Sequence, residues 1–119
     1  MQVQQVSFGY THPLKTAYKR GLLPTVKFDV YGNKLTQENV SLEHIIPHSQ
    51  GGETVLDNLL LADKNANRIR GIKPLGLFVT KDMVDLYLWQ FRGVTNYYIN
   101  GDKYIGLIRN KLLKEVMKR

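Results

Sequence analysis

Residues 41–71 read SLEHIIPHSQGGETVLDNLLLADKNANRIRG, and the fold follows from how that stretch divides. Val40, Leu42 and His44 alternate with Ser41 and Glu43, the period of a short half-buried strand, and Pro47 ends it. Ser49 to Asp57 is a turn-rich loop built on Gly51-Gly52, with Asp57 as a turn residue. Leu59, Leu60 and Leu61 form a brief apolar run that predicts a second strand. From about Asp63 to Arg70 the composition turns helical, with Asp63 placed as the N-cap and Gly71 and Pro74 closing the helix. The stretch therefore predicts strand, loop, strand, helix.

Toward the N-terminus, residues 1–10 mix Gln and Val without a clear period and suit a strand or a loose arm. His12-Pro13 marks a turn into a short helix from Leu14 to Arg20, with Gly21 as its stop. Lys15, Lys19 and Arg20 have spacings that can share one helical face. Thr25 to Phe28 alternates toward a strand, Tyr31-Gly32-Asn33 reads as a turn, and Lys34 to Asn39 is loop-like. Toward the C-terminus, a helix is predicted from Thr80, its N-cap, to about Arg92. Its stripe is Met83, Leu86, Tyr87 and the run Trp89-Gln90-Phe91. Asn96 to Ile99 is strand-like and Asn100-Gly101 a turn. A last helix runs from about Lys103 to Lys118, burying Tyr104 or Ile105, then Ile108, Leu112 and Val116. The aromatics between 87 and 104 sit at helical spacing and read as core; nothing supports base stacking by them.

A chain of 119 residues suits one domain, here residues 1–119 with a C-terminal helical region from about 75. Its 17 Lys and Arg against 10 Asp and Glu give +7, a balance that favours polyanionic partners, chiefly nucleic acid. Having no cysteine excludes disulfides, thiolate zinc sites and cysteine nucleophiles. The opening MQVQQVSFGY lacks the pattern of a signal peptide, and no apolar run reaches membrane-spanning length, so a soluble, cytoplasmic protein with no membrane partner is expected.

Glu43, His44, Asn58 and Asn67 supply the chemistry. A carboxylate and an amide oxygen are hard ligands suited to Mg²⁺ or Mn²⁺. A histidine beside them, not bound to metal, can deprotonate a water for attack on phosphorus. Asp63, Asn67 and Arg70 lie at i, i+4 and i+7 on one helical face, so Arg70 can clamp a phosphate near the ligands. Glu43 and His44 point to opposite faces of a strand and flank one phosphate only where the strand twists out toward Pro47. His44 and His48 sit at i, i+4, but Pro47 between them disrupts a zinc-binding helix, which leaves His48 as a loop residue near DNA.

Glu43-His44-Ile45-Ile46-Pro47, then Ser49, Gly51-Gly52, Asn58-Leu59, Asn67 and Arg70-Gly71 resemble, in order, the HNH nucleases over residues 25–74. The resemblance implies an α+β fold with a ββα-metal core and additional flanking helices. It implies His44 as general base and Glu43, where Asp is more usual, with Asn67 as ligands of Mg²⁺ or Mn²⁺. Asn58 matches a middle Asn that holds the loop so that the histidine is oriented, and Arg70 a basic residue near the scissile phosphate. His48, Arg68, Arg70 and Lys73 are the implied nucleic-acid contacts. The nine-residue spacing from Asn58 to Asn67 is also similar to the nuclease domain of RNA-guided CRISPR effectors. Many members carry two Cys-x-x-Cys pairs around a structural zinc. Here Phe28 and Tyr31 fill the places of the first pair, and Asp63 and Ala66 those of the second, so apolar packing is expected in place of zinc.

The leading expectation is a metal-dependent endonuclease that nicks or cuts double-stranded DNA, as a homodimer or beside a phage or restriction partner. A non-catalytic basic nucleic-acid-binding protein on the same core is the alternative, and a protein-binding adaptor a third.

Overall fold

A computed structural model describes residues 12–95 and 99–118. The architecture is α+β: a two-stranded antiparallel sheet with helices packed around it. Strand β1 (Val40–His44) and strand β2 (Leu59–Asp63) pair from Val40 opposite Asp63 to His44 opposite Leu59. Helix α2 (Lys64–Arg70) follows at once, and the Asp63 carboxylate accepts from Ala66 N at 3.0 Å, the cap read from the sequence. Before the sheet comes α1 (Pro13–Lys19), whose N-cap is His12, with Nδ1 accepting from Leu14 N. After it come α3 (Lys81–Trp89), capped by Thr80, and α4 (Gly101–Met117), capped by Asn100.

The core explains why β2 reads as an unbroken apolar run. Leu59, Leu60, Leu61 and Ala62 are all buried, so neither face of the strand meets water. Tyr87 and Phe91 from the α3 region and Tyr104, Ile108, Leu112 and Val116 from α4 pack into the same cluster. A two-stranded sheet leaves exposed edges, and here tyrosines cover one of them. Leu61 N donates to Tyr87 Oη at 3.1 Å, and Tyr104 Oη donates to Leu59 O at 2.8 Å. The two hydroxyls lie 2.8 Å apart, and since Tyr104 spends its proton on Leu59, Tyr87 is the donor between them.

Three expectations need correction. Thr25–Phe28 is not a strand; Phe28 forms an isolated bridge with Lys34, and the segment pairs with a side chain instead. Gln90 Oε1 accepts from Lys27 N and Phe28 N, and its Nε2 donates to Phe28 O. On α3, Leu86 (69 % exposed) and Trp89 (63 %) lie outside the core, which takes Val84, Tyr87 and Leu88. Trp89 carries the Arg92 guanidinium over its ring at 4.7 Å. Apolar packing alone does not stand where zinc-binding cysteines would, because Phe28 is exposed. The buried Asp29 carboxylate ties those places together, accepting from Tyr31 N and Asn33 N on one oxygen and from Asp63 N on the other. Residues 1–11 lie outside the described residues, as does most of the strand expected at Asn96–Ile99.

Candidate active site

The loop between the strands is held by Asn58 and by glycine. Asn58 is buried; its Oδ1 accepts from Ile46 N at 2.9 Å, and its Nδ2 donates to Ile46 O and Glu53 O. Its backbone carbonyl also receives Ile45 N at 2.8 Å. Ile46 and Glu53 lie on opposite limbs of the loop, so one amide cross-links them. Gly51 turns the chain at φ +90°, where a side chain would be strained. At Gly52 a Cβ would stand 1.7 Å from Ile46 O, so only glycine allows the limbs this close.

His44 ends β1 beside this loop, half-buried, with Nε2 2.9 Å from Thr54 Oγ1 and, among the described residues, no hydrogen-bond partner on Nδ1. Burial, and secondarily the neighbouring His48, hold its imidazole below the ordinary histidine value. His44 is therefore neutral near pH 7, the form that accepts a proton. The His48 ring meets it edge-on with centroids 6.2 Å apart, and His48 Nδ1 lies 3.3 Å from Gly52 O on an exposed short 3₁₀ turn.

Glu43 faces the other way, beneath α2. Its carboxylate is 1 % exposed, and Oε2 accepts from both Tyr31 Oη and Arg70 Nη1. Oε1 is buried without a partner. Burial pushes the carboxyl upward, while Tyr31 and Arg70 oppose that shift. Tyr31 itself is raised, first by burial and then by the Glu43 charge.

Ser41 and Glu43 share the β1 face that α2 covers, Asn67 meeting Ser41 and Arg70 meeting Glu43. Asn67 Nδ2 donates to Leu42 O at 3.0 Å and more weakly to Ser41 Oγ at 3.3 Å, which leaves Oδ1 unspent. Arg70 is 2 % exposed and donates to Glu43, to the carbonyls of His44 and Ile45, and from Nε to Lys73 O. A phosphate clamp needs an accessible guanidinium, and Arg70 is instead spent on pinning the strand's exit. Arg68 and Lys73 remain exposed; Arg68 donates to Asn65 Oδ1 and Lys73 Nζ to Ile69 O.

The site thus falls into two halves, a neutral histidine on the loop side and a carboxylate-amide pair under α2. Among the described residues there is no group of three or more His, Cys, Asp or Glu able to hold a metal ion. Glu43 with Asn67 would not form such a group, since one of the pair is an amide. The donor set fits a hard divalent cation on two observations, the orphaned Glu43 Oε1 and the unspent Asn67 Oδ1.

Sequence reasoning missed Tyr31 and Thr54. Tyr31 was legible as a turn residue in a cysteine's place, but nothing in its spacing points at Glu43 twelve residues on. Thr54 is a hydroxyl in a polar loop, and its contact with His44 exists only once the loop closes.

No curated protein and no solved structure gives a significant match to the chain. Residues 29–73, which contain both strands, the loop and α2, match the family model described as HNH endonuclease.

Proposed function

We propose that the chain is a metal-dependent endonuclease that hydrolyses phosphodiester bonds in double-stranded DNA, by nicking or by cutting both strands, on a ββα-metal core. The observation that carries this reading is His44: neutral, anchored through one ring nitrogen and with the other free, at the mouth of an Asn58-stapled loop. In this role His44 takes the proton of the attacking water, Asn58 fixes the loop that orients it, and Glu43 and Asn67 would hold Mg²⁺ or Mn²⁺. The bound ion would supply Lewis-acid stabilisation of the charge that develops on the phosphate and leaving oxygens. Arg70 is reassigned as the residue that positions Glu43, and His48, Arg68 and Lys73 are the exposed groups offered to nucleic acid. A cytoplasmic setting belongs to the same proposal. No helix among the described residues is long and apolar enough to cross a membrane.

The test is plasmid cleavage with Mg²⁺ or Mn²⁺, beside an EDTA control and His44→Ala. Nicked or linear product that requires metal and disappears in the variant is expected; general-base catalysis is worth about 10²- to 10⁴-fold. Equal cutting by His44→Ala would remove His44 from the chemistry. Salt-sensitive DNA binding with no cleavage would favour a non-catalytic binding protein.

A further inference from the structure

The contact between His44 Nε2 and Thr54 Oγ1 decides more than the ring's orientation. On the nuclease reading above, on which this inference rests, the two ring nitrogens have different tasks. Nε2 is occupied at 2.9 Å, and Nδ1 has no hydrogen-bond partner among the described residues. A water to be deprotonated can therefore meet only Nδ1, which must then carry a lone pair. The single proton of the neutral ring must sit on Nε2, so the threonine hydroxyl accepts. If Thr54 donated instead, Nδ1 would be protonated and the accessible nitrogen could not act as a base.

The surrounding loop fixes Thr54 for this task. Its two neighbours are both tied to Asn58: Glu53 O accepts from Asn58 Nδ2 at 2.9 Å, and Val55 O accepts from Asn58 N at 2.8 Å. The same Asn58 side chain grips Ile46, two residues beyond His44, at both its N–H and its carbonyl. One buried amide thus sets the distance between the limb that carries the base and the limb that carries its acceptor. Threonine is stiff at χ1, so its oxygen stays where the backbone puts it.

We propose that Thr54 is a positioning residue for the general base, accepting a hydrogen bond from His44 Nε2–H and so holding the ring in the tautomer whose free Nδ1 meets the attacking water.

The experiment uses the full chain as wild type, Thr54→Val and Thr54→Ser. Valine keeps the shape and removes the acceptor; serine keeps the acceptor and loosens it. Single-turnover cleavage of a labelled duplex with saturating Mg²⁺ is measured alongside duplex affinity in EDTA. The ¹⁵N shifts of the wild-type His44 ring are recorded above pH 7. Outer partners that orient a metal-ligating histidine are worth about 10- to 100-fold, and a partner that orients a histidine base is expected to act on the same scale. Thr54→Val should slow cleavage by about that factor with affinity within about twofold of wild type, since the exposed threonine hydroxyl makes no other hydrogen bond among the described residues. Thr54→Ser should fall well short of that loss, and the wild-type ring should carry its proton on Nε2. Unimpaired cleavage by Thr54→Val, equal losses in both variants, or a proton on Nδ1 would each overturn the role of Thr54. A wild type that cleaves nothing would overturn the nuclease reading itself, whereas cleavage that is indifferent to Thr54 leaves that reading standing.

Discussion

Arg70 donates four hydrogen bonds from a position that water scarcely reaches, to Glu43, to two carbonyls at the end of β1 and to Lys73 O. Its planar fork fits that set of acceptors, and the compact ammonium of lysine does not. Truncation leaves a buried carboxylate unpaired, a defect that costs about 3–5 kcal/mol in other buried pairs. Arg70→Ala should therefore lower stability in urea unfolding by about that amount, with Arg70→Lys only partly restoring it. A phosphate clamp would give the opposite pattern, unchanged stability with weakened DNA binding, and that outcome would sink the structural role. The internal pairing also bears on the proposed cation: Glu43 with Arg70 is close to neutral, so on that reading metal would bind weakly until a nucleic-acid phosphate adds charge. His44 leads to a prediction about pH. Burial, then His48, lowers its pKa from 6.5, and in the proposed mechanism the neutral ring is the working form. Fraction neutral rises with pH, so a lowered pKa moves that rise to more acidic solution. The midpoint of the rise in cleavage with pH should therefore lie below 6.5; a rate halved at pH 6.5 or above would contradict the shift.

Among the elements, the free edge of β2 carries the clearest energetic consequence, because Tyr87 and Tyr104 act there in place of a third strand. Tyr104→Phe would leave Leu59 O and the Tyr87 hydroxyl without their partner in the core. Unsatisfied buried polar groups cost about 1–3 kcal/mol each, so the denaturant midpoint should fall accordingly. An unchanged midpoint would mean that water replaces the lost hydroxyl. The same residue shows what the sequence could disclose. Tyr104, Ile108, Leu112 and Val116 repeat at helical spacing, so the buried face of α4 was legible from period alone. Which polar atom the hydroxyl would meet was not, since periodicity reports a face and says nothing of its partner. Both strands and α2 were legible because alternation, an apolar run and a cap agreed locally. Thr25–Phe28 misled because its alternation was real but its partner was the Gln90 side chain, sixty-two residues beyond Phe28. Gly51-Gly52 announced a turn, whereas the close approach that makes Gly52 irreplaceable appears only with Ile46 O beside it.

At the scale of the whole molecule, charge is the property that sequence and structure describe differently. The sequence yields +7 and says little about where it gathers. The structure brings Lys15 of α1 close enough to its helix neighbour Lys19 and to Lys64, at the start of α2, for both to depress Lys15 after burial has done so. Such neighbours repel one another when the protein is alone, and a phosphate backbone laid across them relieves that repulsion. α1 precedes residues 29–73, so its lysines would extend a DNA contact beyond the segment matched to the family. Each phosphate neutralised contributes about 0.9 to the slope of log affinity against log salt for duplex DNA. If all three lysines reach phosphate, the triple alanine variant should shallow that slope by about 2.7 units, measured in EDTA so that cleavage does not intervene. His44→Ala, which removes no charge at neutral pH, should leave the slope where it was. An unchanged slope in the triple variant would put the duplex on another face of the protein, and the exposed Arg68 and Lys73 would be the next positions to test.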